Sequence, residues 1–467
     1  MQNNIKDVVV IGGGIVGSAI LRKLSFYRLD IALIEKQPDL CEGASKANSG
    51  IIHTGFDASP NSIEAECLRR SRSLWPKLVE DLKIPYIPCG AVMIATSTDE
   101  KEVIENKYIP NAAANGVDVK WLSKEEVLEM NPAVTDNVVG GLSIPGEAIC
   151  DPFTATRSFA ELAVLNGAEI FLGSGVEEIE KHSEGFKLIL ENNKEVLTKY
   201  VVNSAGVYSD KIARLIGDES FIITPRKGQF VLTEEPIEIS QIILPVPTPK
   251  SKGKLVSPVV FGGFLLGPTA EDQEDKDDRS TTESGIEEVF TGCEKLIPGV
   301  RNFESLRQFA GVRAVCSTGD FVIRPSEVDQ QMIHAAGIRS TGLSASPGIA
   351  EMVVEQLEVA GLDFVEKDDV LTEIPNLFYE SDEEDAGEII CLCRSITRGE
   401  IVNSFKRPIP PTTIDGIKRR TGATLGECQG SCCIPKILEL MEENEVISDL
   451  PLKGLQHSYL TVKERSK

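Results

Sequence analysis

Ile5-Lys-Asp-Val-Val-Val-Ile-Gly-Gly-Gly-Ile-Val-Gly17 decides the fold of this chain. Ile5–Ile11 is a short apolar, β-branched run ending in glycines, which reads as a strand. Ile15–Phe26 places apolar residues at helical spacing, and Ile31–Ile34 is a second apolar strand ending at Glu35. Strand, glycine turn, helix and strand within about 30 residues make a βαβ unit. Gly12, Gly14 and Gly17 fit the pattern G-x-G-x-x-G, and each has a physical task. Gly12 permits the tight turn, Gly14 lets the backbone approach a pyrophosphate, and Gly17 lets helix and strand pack closely. The helix N-terminus offers unpaired N–H groups and the positive end of its dipole to the phosphates. Glu35 accepts hydrogen bonds from ribose hydroxyls. The expectation is a dinucleotide site.

The pattern outward from this unit mixes strands and helices. Helical stretches are expected at Lys124–Met130, Phe153–Leu165 and Pro435–Glu442. Strands are expected at Glu169–Phe171, Phe186–Leu190 and Lys199–Asn203. Residues 220–325 are strand-rich, with Gln229–Leu232, Ile242–Val246, Leu255–Val260 and Phe264–Leu266 as the clearest runs. The acidic stretch Glu271–Arg279 reads as a solvated loop. A second acidic run, Glu380–Glu388, repels itself and buries nothing, which suits a linker.

The 467 residues allow two to four domains at roughly 100–200 residues each. No run reaches the roughly 18 apolar residues of a membrane span. Met1-Gln-Asn-Asn-Ile-Lys6 lacks the features of a secretory signal, so a cytoplasmic protein is expected. A net charge of −24 opposes phosphate backbones, and no basic patch offsets it, which excludes nucleic acid as the expected partner. Of eleven cysteines, Cys41, Cys67, Cys89, Cys150, Cys293 and Cys316 are scattered and read as reduced core thiols. Cys391, Cys393, Cys428, Cys432 and Cys433 cluster late and read as a metal or cluster site.

Two further stretches favour flavin. Ala44-Ser45-Lys-Ala-Asn48-Ser49-Gly50-Ile-Ile-His53-Thr-Gly55 is small and polar, allowing close approach to a planar ring. Gly337-Ile-Arg339-Ser340-Thr-Gly342-Leu343-Ser344-Ala-Ser-Pro347 places glycines ahead of a proline that suits the first turn of a helix. Such an N-terminus aimed at a ring would stabilise negative charge on it.

With these residues, the N-terminal ~370 positions resemble the D-amino-acid-oxidase-type FAD-dependent oxidoreductases, and within them the short glycerol-3-phosphate oxidases and dehydrogenases. Ala47–Gly55, Arg226-Lys-Gly-Gln-Phe230, Lys252-Gly-Lys-Leu-Val-Ser-Pro258, Gly263-Phe-Leu-Leu-Gly-Pro-Thr269, Phe309-Ala-Gly-Val-Arg313 and Gly319-Asp-Phe-Val-Ile-Arg324 carry the likeness. L-2-hydroxyglutarate dehydrogenases share the Asn-Ser-Gly-hydrophobic-hydrophobic-His element. The resemblance implies an α/β (α+β) fold: a Rossmann-like FAD-binding domain with a mixed-sheet substrate domain. The FAD part would occupy about 1–85, 140–220 and 320–375, and the substrate part about 86–139 and 221–319. It also implies that Lys36, Ser45, Val176, Ala205, Gly206, Gly342, Leu343 and Ser344 join Gly12, Gly14, Gly17, Glu35, Asn48, Ser49 and Gly50 around FAD.

Of four histidines, His182 and His457 sit among polar residues, and His334 lies in an apolar stretch as a structural residue. His53 lies between Gly50 and Gly55, in the loop expected to pass the flavin. Oxidation of an alcohol must remove the hydroxyl proton, and imidazole titrates near the working pH. The resemblance places the family's active-site histidine here. An anionic substrate needs fixed cations or donors; Lys252, Arg313 and Ser340 are the candidates.

The thiolates of the late cysteines select zinc, Cu(I) or an iron–sulfur cluster, and spacing alone leaves zinc and [2Fe–2S] open. Cys391–Ile401 with Thr421–Gly430 resembles the bacterioferritin-associated-ferredoxin-like [2Fe–2S] domain. That resemblance implies Cys391, Cys393, Cys428 and Cys433 as ligands, with four residues between the last two, and Cys432 as the spare. A linker at 376–388, a [2Fe–2S] domain at 389–450 and a tail at 451–467 follow. The expected activity is a dehydrogenase of sn-glycerol 3-phosphate that passes electrons to an acceptor protein or a quinone-linked partner subunit, through which it would be peripheral to a membrane. A dehydrogenase of L-2-hydroxyglutarate or another small 2-hydroxy acid, and a non-catalytic flavin and iron–sulfur carrier, are the rival readings, and amine oxidation stays open.

Overall fold

Val8, Val9 and Val10 are fully buried because the strand Lys6–Ile11 runs through the middle of a parallel sheet. It pairs in parallel with Ile31–Glu35 on one side and with Glu195–Asn203 on the other. Glu169–Leu172 continues the sheet beyond Ile31–Glu35, and the antiparallel ribbon Val176–His182 and Gly185–Leu190 closes the opposite edge. Met332–Ala336 lies parallel to the end of Glu195–Asn203 and carries Val322–Pro325 antiparallel beside it. The computed structural model describes residues 5–247, 253–375, 385–446, 452–455, 458 and 460.

The helix Ile15–Leu24 follows the glycine turn directly. A Cβ on Gly17 would stand 1.9 Å from the Gly12 carbonyl oxygen, and one on Gly12, at φ +111°, would stand 2.6 Å from the Ser204 carbonyl oxygen. Helix and strand therefore approach at backbone distance, as only glycine allows. The helices Ile63–Asp81, Pro152–Leu165 and Gly342–Val359 pack with Ile15–Leu24 over one face of the sheet around Ile20, Leu24, Trp75, Phe159 and Ile349. Pro347 lies inside the last of these helices, not in its first turn, because the helix begins at Gly342. The carbonyl of Leu343, which a residue with an N–H at 347 would engage, instead accepts from the Ser346 hydroxyl at 2.9 Å.

A nine-stranded sheet forms the second body. Its long ribbon pairs Ile223–Thr233 antiparallel with Arg307–Cys316, setting Arg226 opposite Arg313 and Gly228 opposite Gly311. At Gly311 an added Cβ would meet the Ala47 carbonyl oxygen at 2.2 Å, so this sheet lies against the Ala44–Gly50 loop. Gly140–Ile144 pairs with Ala91–Ala95 and belongs to this sheet, whereas the sequence reading placed it with the dinucleotide part. The acidic stretch is likewise not a plain solvated loop. Glu271–Asp272 pairs with Arg226–Lys227, buried Lys227 holds Asp278 at 2.8 Å, and Lys276 donates to the Val207 carbonyl at 2.7 Å. Asp272, Asp277 and Asp278 pair with Arg226, Lys36 and Lys227, bases distant in the chain, which charge content alone does not reveal.

The C-terminal module has the hairpin Ile389–Cys391 with Ile396–Thr397 and the helices Arg398–Phe405, Ile414–Thr421 and Ile434–Glu443. Ile401, Ile414, Ile417, Ile437 and Met441 form its own core. It is seated on the first body by buried ion pairs. Arg407 donates from Nε to the Glu161 carboxylate at 2.8 and 3.0 Å. Arg420 grips Asp39 in bidentate fashion at 2.6 and 2.9 Å. Arg419 reaches Asp39 at 3.0 Å and Glu42 at 2.6 Å. Burial pushes the Asp39 carboxyl up, but the two guanidiniums outweigh it and hold it at about 2. A carboxylate depressed below its ordinary value of about 3.9 stabilises the fold above that pH, and the stabilisation is lost as pH falls toward 2.

Gly17→Ala should lower the thermal denaturation midpoint sharply, since overpacking at a rigid contact costs about 1–3 kcal/mol or more. Gly387→Ala, where nothing lies within 4 Å, should leave the midpoint unchanged in the same scan.

Candidate active site

A cavity of about 550 Å³, within the range of ligand cavities, is lined by residues of both large sheets. Its near end is the dinucleotide motif. Gly12 and Gly14 line it, and the Ile15 N–H at the start of the helix donates to the Ser45 hydroxyl at 2.9 Å. The Glu35 carboxylate is fixed by the Gly13 N–H at 2.7 Å and the Gln37 N–H at 2.8 Å, and burial pushes its pKa up against those bonds. Lys36 also lines the cavity, its ammonium 3.6 Å from the Tyr208 ring centroid. Val176, Ala205 and Gly206 supply small walls beside it.

The middle of the cavity is lined by Ser45, Asn48 and Ser49 on one side and Gly342 and Leu343 on the other. Asn48 folds its own loop: its amide donates to the Ser45 carbonyl at 2.7 Å and its oxygen accepts from the Gly50 N–H at 2.8 Å. Gly17, Gly50 and Ser344 do not line the cavity. Gly50 has φ +69°, with the Cys150 carbonyl oxygen 2.8 Å from where a Cβ would be, and serves the turn. The Ser344 hydroxyl accepts from the His53 N–H at 2.8 Å and donates to the Ile51 carbonyl at 3.1 Å, holding the histidine loop. Glycines at the close approaches, a fixed carboxylate and small walls fit a dinucleotide such as FAD.

The far end carries His53, Arg313 and Ser340. His53 Nδ1 lies 2.9 Å from the Glu147 carboxylate, whose other oxygen accepts from the Thr54 N–H and hydroxyl, both at 2.7 Å. Glu147 is 1% exposed. An ionised carboxylate only accepts, so the contact assigns the proton to Nδ1 and the basic lone pair to Nε2. Sequence reasoning missed Glu147. Its signal is a single charged residue after Pro145-Gly146, between two fully buried runs, Gly140–Ile144 and Ala148–Cys150.

Arg313 is half-buried, and desolvation lowers its pKa to about 10. Its Nη2 donates to the Thr269 carbonyl at 2.7 Å, and its Nε has no partner among the described residues. A partly desolvated guanidinium that lines a cavity suits an anion. Lys252 lies outside the described residues, as does His457. Arg339 is committed to Glu64 at 2.8 Å. His334 is a satisfied core residue, its Nε2 3.0 Å from Asp218 and its Nδ1 3.2 Å from the Asn203 amide.

In the C-terminal module the buried Cys391 and Cys433 neighbour each other, and so do Cys393, which is exposed, and Cys428, which is half-buried. Backbone N–H groups of Cys432 and Gly430 point at the Cys428 sulfur and hold its thiol down to about 7. Cys432 itself is exposed and enters neither pair. Among the described residues no group of three or more His, Cys, Asp or Glu is arranged around a single metal ion. Four thiols in two adjoining pairs, with donors on one sulfur, fit a [2Fe–2S] cluster. Cys41, Cys67, Cys150, Cys293 and Cys316 are free and buried, and Cys89 is half-buried.

Residues 7–356 match the FAD dependent oxidoreductase family, and residues 389–443 match the BFD-like [2Fe-2S] binding domain. A glycerol 3-phosphate dehydrogenase of Caloramator mitchellensis is 36% identical over 451 residues, covering 93% of each chain. A glycerol 3-phosphate oxidase of Mycoplasma pneumoniae is 33% identical over 75% of this chain and 94% of its own. The solved structure of the L-alpha-glycerophosphate oxidase of that organism, with FAD bound, superposes with a TM-score of 0.75 at 30% identity, over 79% of this chain and 98% of that one. An L-2-hydroxyglutarate dehydrogenase of Escherichia coli K12 is 29% identical over 56% of this chain and 64% of its own.

Glu147→Gln should slow flavin reduction by substrate in single-turnover measurements by about tenfold or more, because the neutral amide no longer fixes the Nδ1 proton. His53→Asn should cost on the order of 10²–10⁴-fold. Wild-type rates in both variants would remove the pair from the chemistry.

Proposed function

The chain belongs to the family of FAD-dependent oxidoreductases and ends in a [2Fe–2S] binding domain, and on that premise we propose that it oxidises sn-glycerol 3-phosphate to dihydroxyacetone phosphate. The observation that carries this reading is the half-buried Arg313 guanidinium lining the same cavity as His53, whose ring is held by Glu147. One group suits a dianionic phosphate and the other a carbinol proton. The near full-length likeness to the Caloramator dehydrogenase supports the same substrate.

Bound FAD supplies the acceptor for the C2 hydride, and the [2Fe–2S] cluster gives electrons an exit one at a time. The residues do the rest. Arg313 and Ser340, with Lys252, bind the phosphate and fix the carbinol carbon in place. His53 Nε2 takes the hydroxyl proton as the C2–H bond breaks, so that the C2–O bond becomes a carbonyl. Glu147 accepts from Nδ1–H throughout and stabilises the imidazolium that forms. Ser344 holds the His53 backbone from outside the cavity. Cys391, Cys393, Cys428 and Cys433 hold the cluster. The electrons leave to an acceptor protein or a quinone-linked partner subunit. Among the described residues no helix is long and apolar enough to cross a membrane. We place the protein in the cytoplasm, with any membrane contact made through that acceptor.

Anaerobic addition of sn-glycerol 3-phosphate should bleach the flavin absorbance within one turnover, and L-2-hydroxyglutarate should not. Bleaching by hydroxyglutarate alone would replace the substrate, and bleaching by neither would leave an electron carrier. Cys433→Ala should abolish the cluster absorbance and Cys432→Ala should retain it; the reverse result would exchange the fourth ligand.

A further inference from the structure

The segment that joins Glu35 to the His53 loop is held from both sides. On the cavity side, the Cys41 N–H donates to the Gly13 carbonyl at 3.0 Å, and Glu42, although only 2% exposed, lines the cavity. Glu42 also pairs with Lys46. On the outer side, Asp39 and Glu42 receive Arg419 and Arg420 from the C-terminal module, and Thr412 donates to the Pro38 carbonyl at 3.5 Å. The same module clamps Glu161, on the helix Pro152–Leu165 that packs against Ile15–Leu24. At its cysteine end it touches the nine-stranded sheet, where Arg394 meets Glu234 at 2.7 Å and Arg307 donates to Gln429 at 3.3 Å.

We propose that the C-terminal module forms the outer wall of the dinucleotide site: Arg419 and Arg420, by pairing with Asp39 and Glu42, hold the Asp39–Ser49 segment in its binding shape, so that module docking and FAD binding are linked. Asp39, Glu42 and Glu161 are each no more than 2% exposed. Without Arg419 and Arg420, Asp39 loses both of its guanidiniums and Glu42 keeps only Lys46, so the neighbouring acids repel and hydrate and no longer favour this path of the segment. Any contact that favours the FAD-ready shape must in turn be favoured by FAD, because coupling between two binding events is reciprocal. Arg419 and Arg420 are thus positioning residues for a cofactor they do not touch. The inference uses only the family's FAD and is independent of the substrate.

The test is FAD release from diluted holoprotein, followed by the fluorescence of freed flavin. Arg419→Met/Arg420→Met should release FAD at least tenfold faster while the cluster spectrum shows the module still folded. The conservative Arg420→Lys should fall between the double variant and wild type. Lys436→Ala, which breaks only the exposed pair with Glu388 on the same module, should release FAD at the wild-type rate. Hydrogen exchange of the Cys41 amide should quicken in the double variant. In the wild type, removing FAD should quicken exchange in the helix Ile414–Thr421. FAD release within twofold of wild type in a double variant with an intact cluster would overturn the proposal. Should that variant not fold, unchanged exchange in Ile414–Thr421 when the wild type loses FAD would overturn it equally.

Discussion

The backbone contact between Gly17 and the Gly12 carbonyl sets where the rest of the site can stand. It starts the helix immediately after the central strand, which aims the helix N-terminus along the cavity and brings the turn beneath Glu35. From Glu35 the chain leaves the cavity wall at Asp39, returns to it at Glu42 and Ser45, and follows it on to His53. Shifting the helix outward by the width of one methyl group would move each of these positions. The site is therefore a consequence of main-chain proximity first and side-chain chemistry second.

The reacting end is assembled from stretches far apart in sequence. His53 is held at its backbone by Ser344, from the start of the last large helix, and at its ring by Glu147, from the turn between two sheets. Arg313 arrives on a ribbon whose register with Ile223–Thr233 is fixed over ten residue pairs. Gly311 lets that ribbon press on the Ala47 carbonyl, so the sheet that carries the cation and the loop that carries the base meet without a gap. Rigid strands and a packed helix thereby supply the preorganisation that proton removal needs.

What was legible in the sequence is what depends on local order. The βαβ unit, Glu35 at its strand end, the Lys124–Met130 helix and the strand-rich middle all follow from spacing along the chain, and the structure has them. His334 as a core residue followed from its apolar neighbours. What stayed hidden depends on partners 46 to 381 residues away in sequence. Glu147 shows its role only beside His53. Nothing in the neighbouring sequence singles out Asp39 or Glu161, which Arg420 and Arg407 cover from the far end of the chain. The Glu271–Arg279 stretch read as solvated because its cations, Arg226 and Lys227, lie in another strand. Gly50 and Ser344, expected at the cofactor from the resemblance, shape the loops that face the cavity.

The seating of the cysteine module through three arginines bears on how such chains can gain or shed a domain. A version ending near residue 375 would strip Asp39 of both its guanidiniums and leave Glu42 and Glu161 with Lys46 and Arg157 alone, on a newly wetted face beside the nucleotide pocket. Loss of the appendage is therefore not a simple deletion. It has to be accompanied by neutral or shorter side chains at those three places. A reader comparing shortened and full-length cousins should look for that correlated change there rather than at the redox ligands.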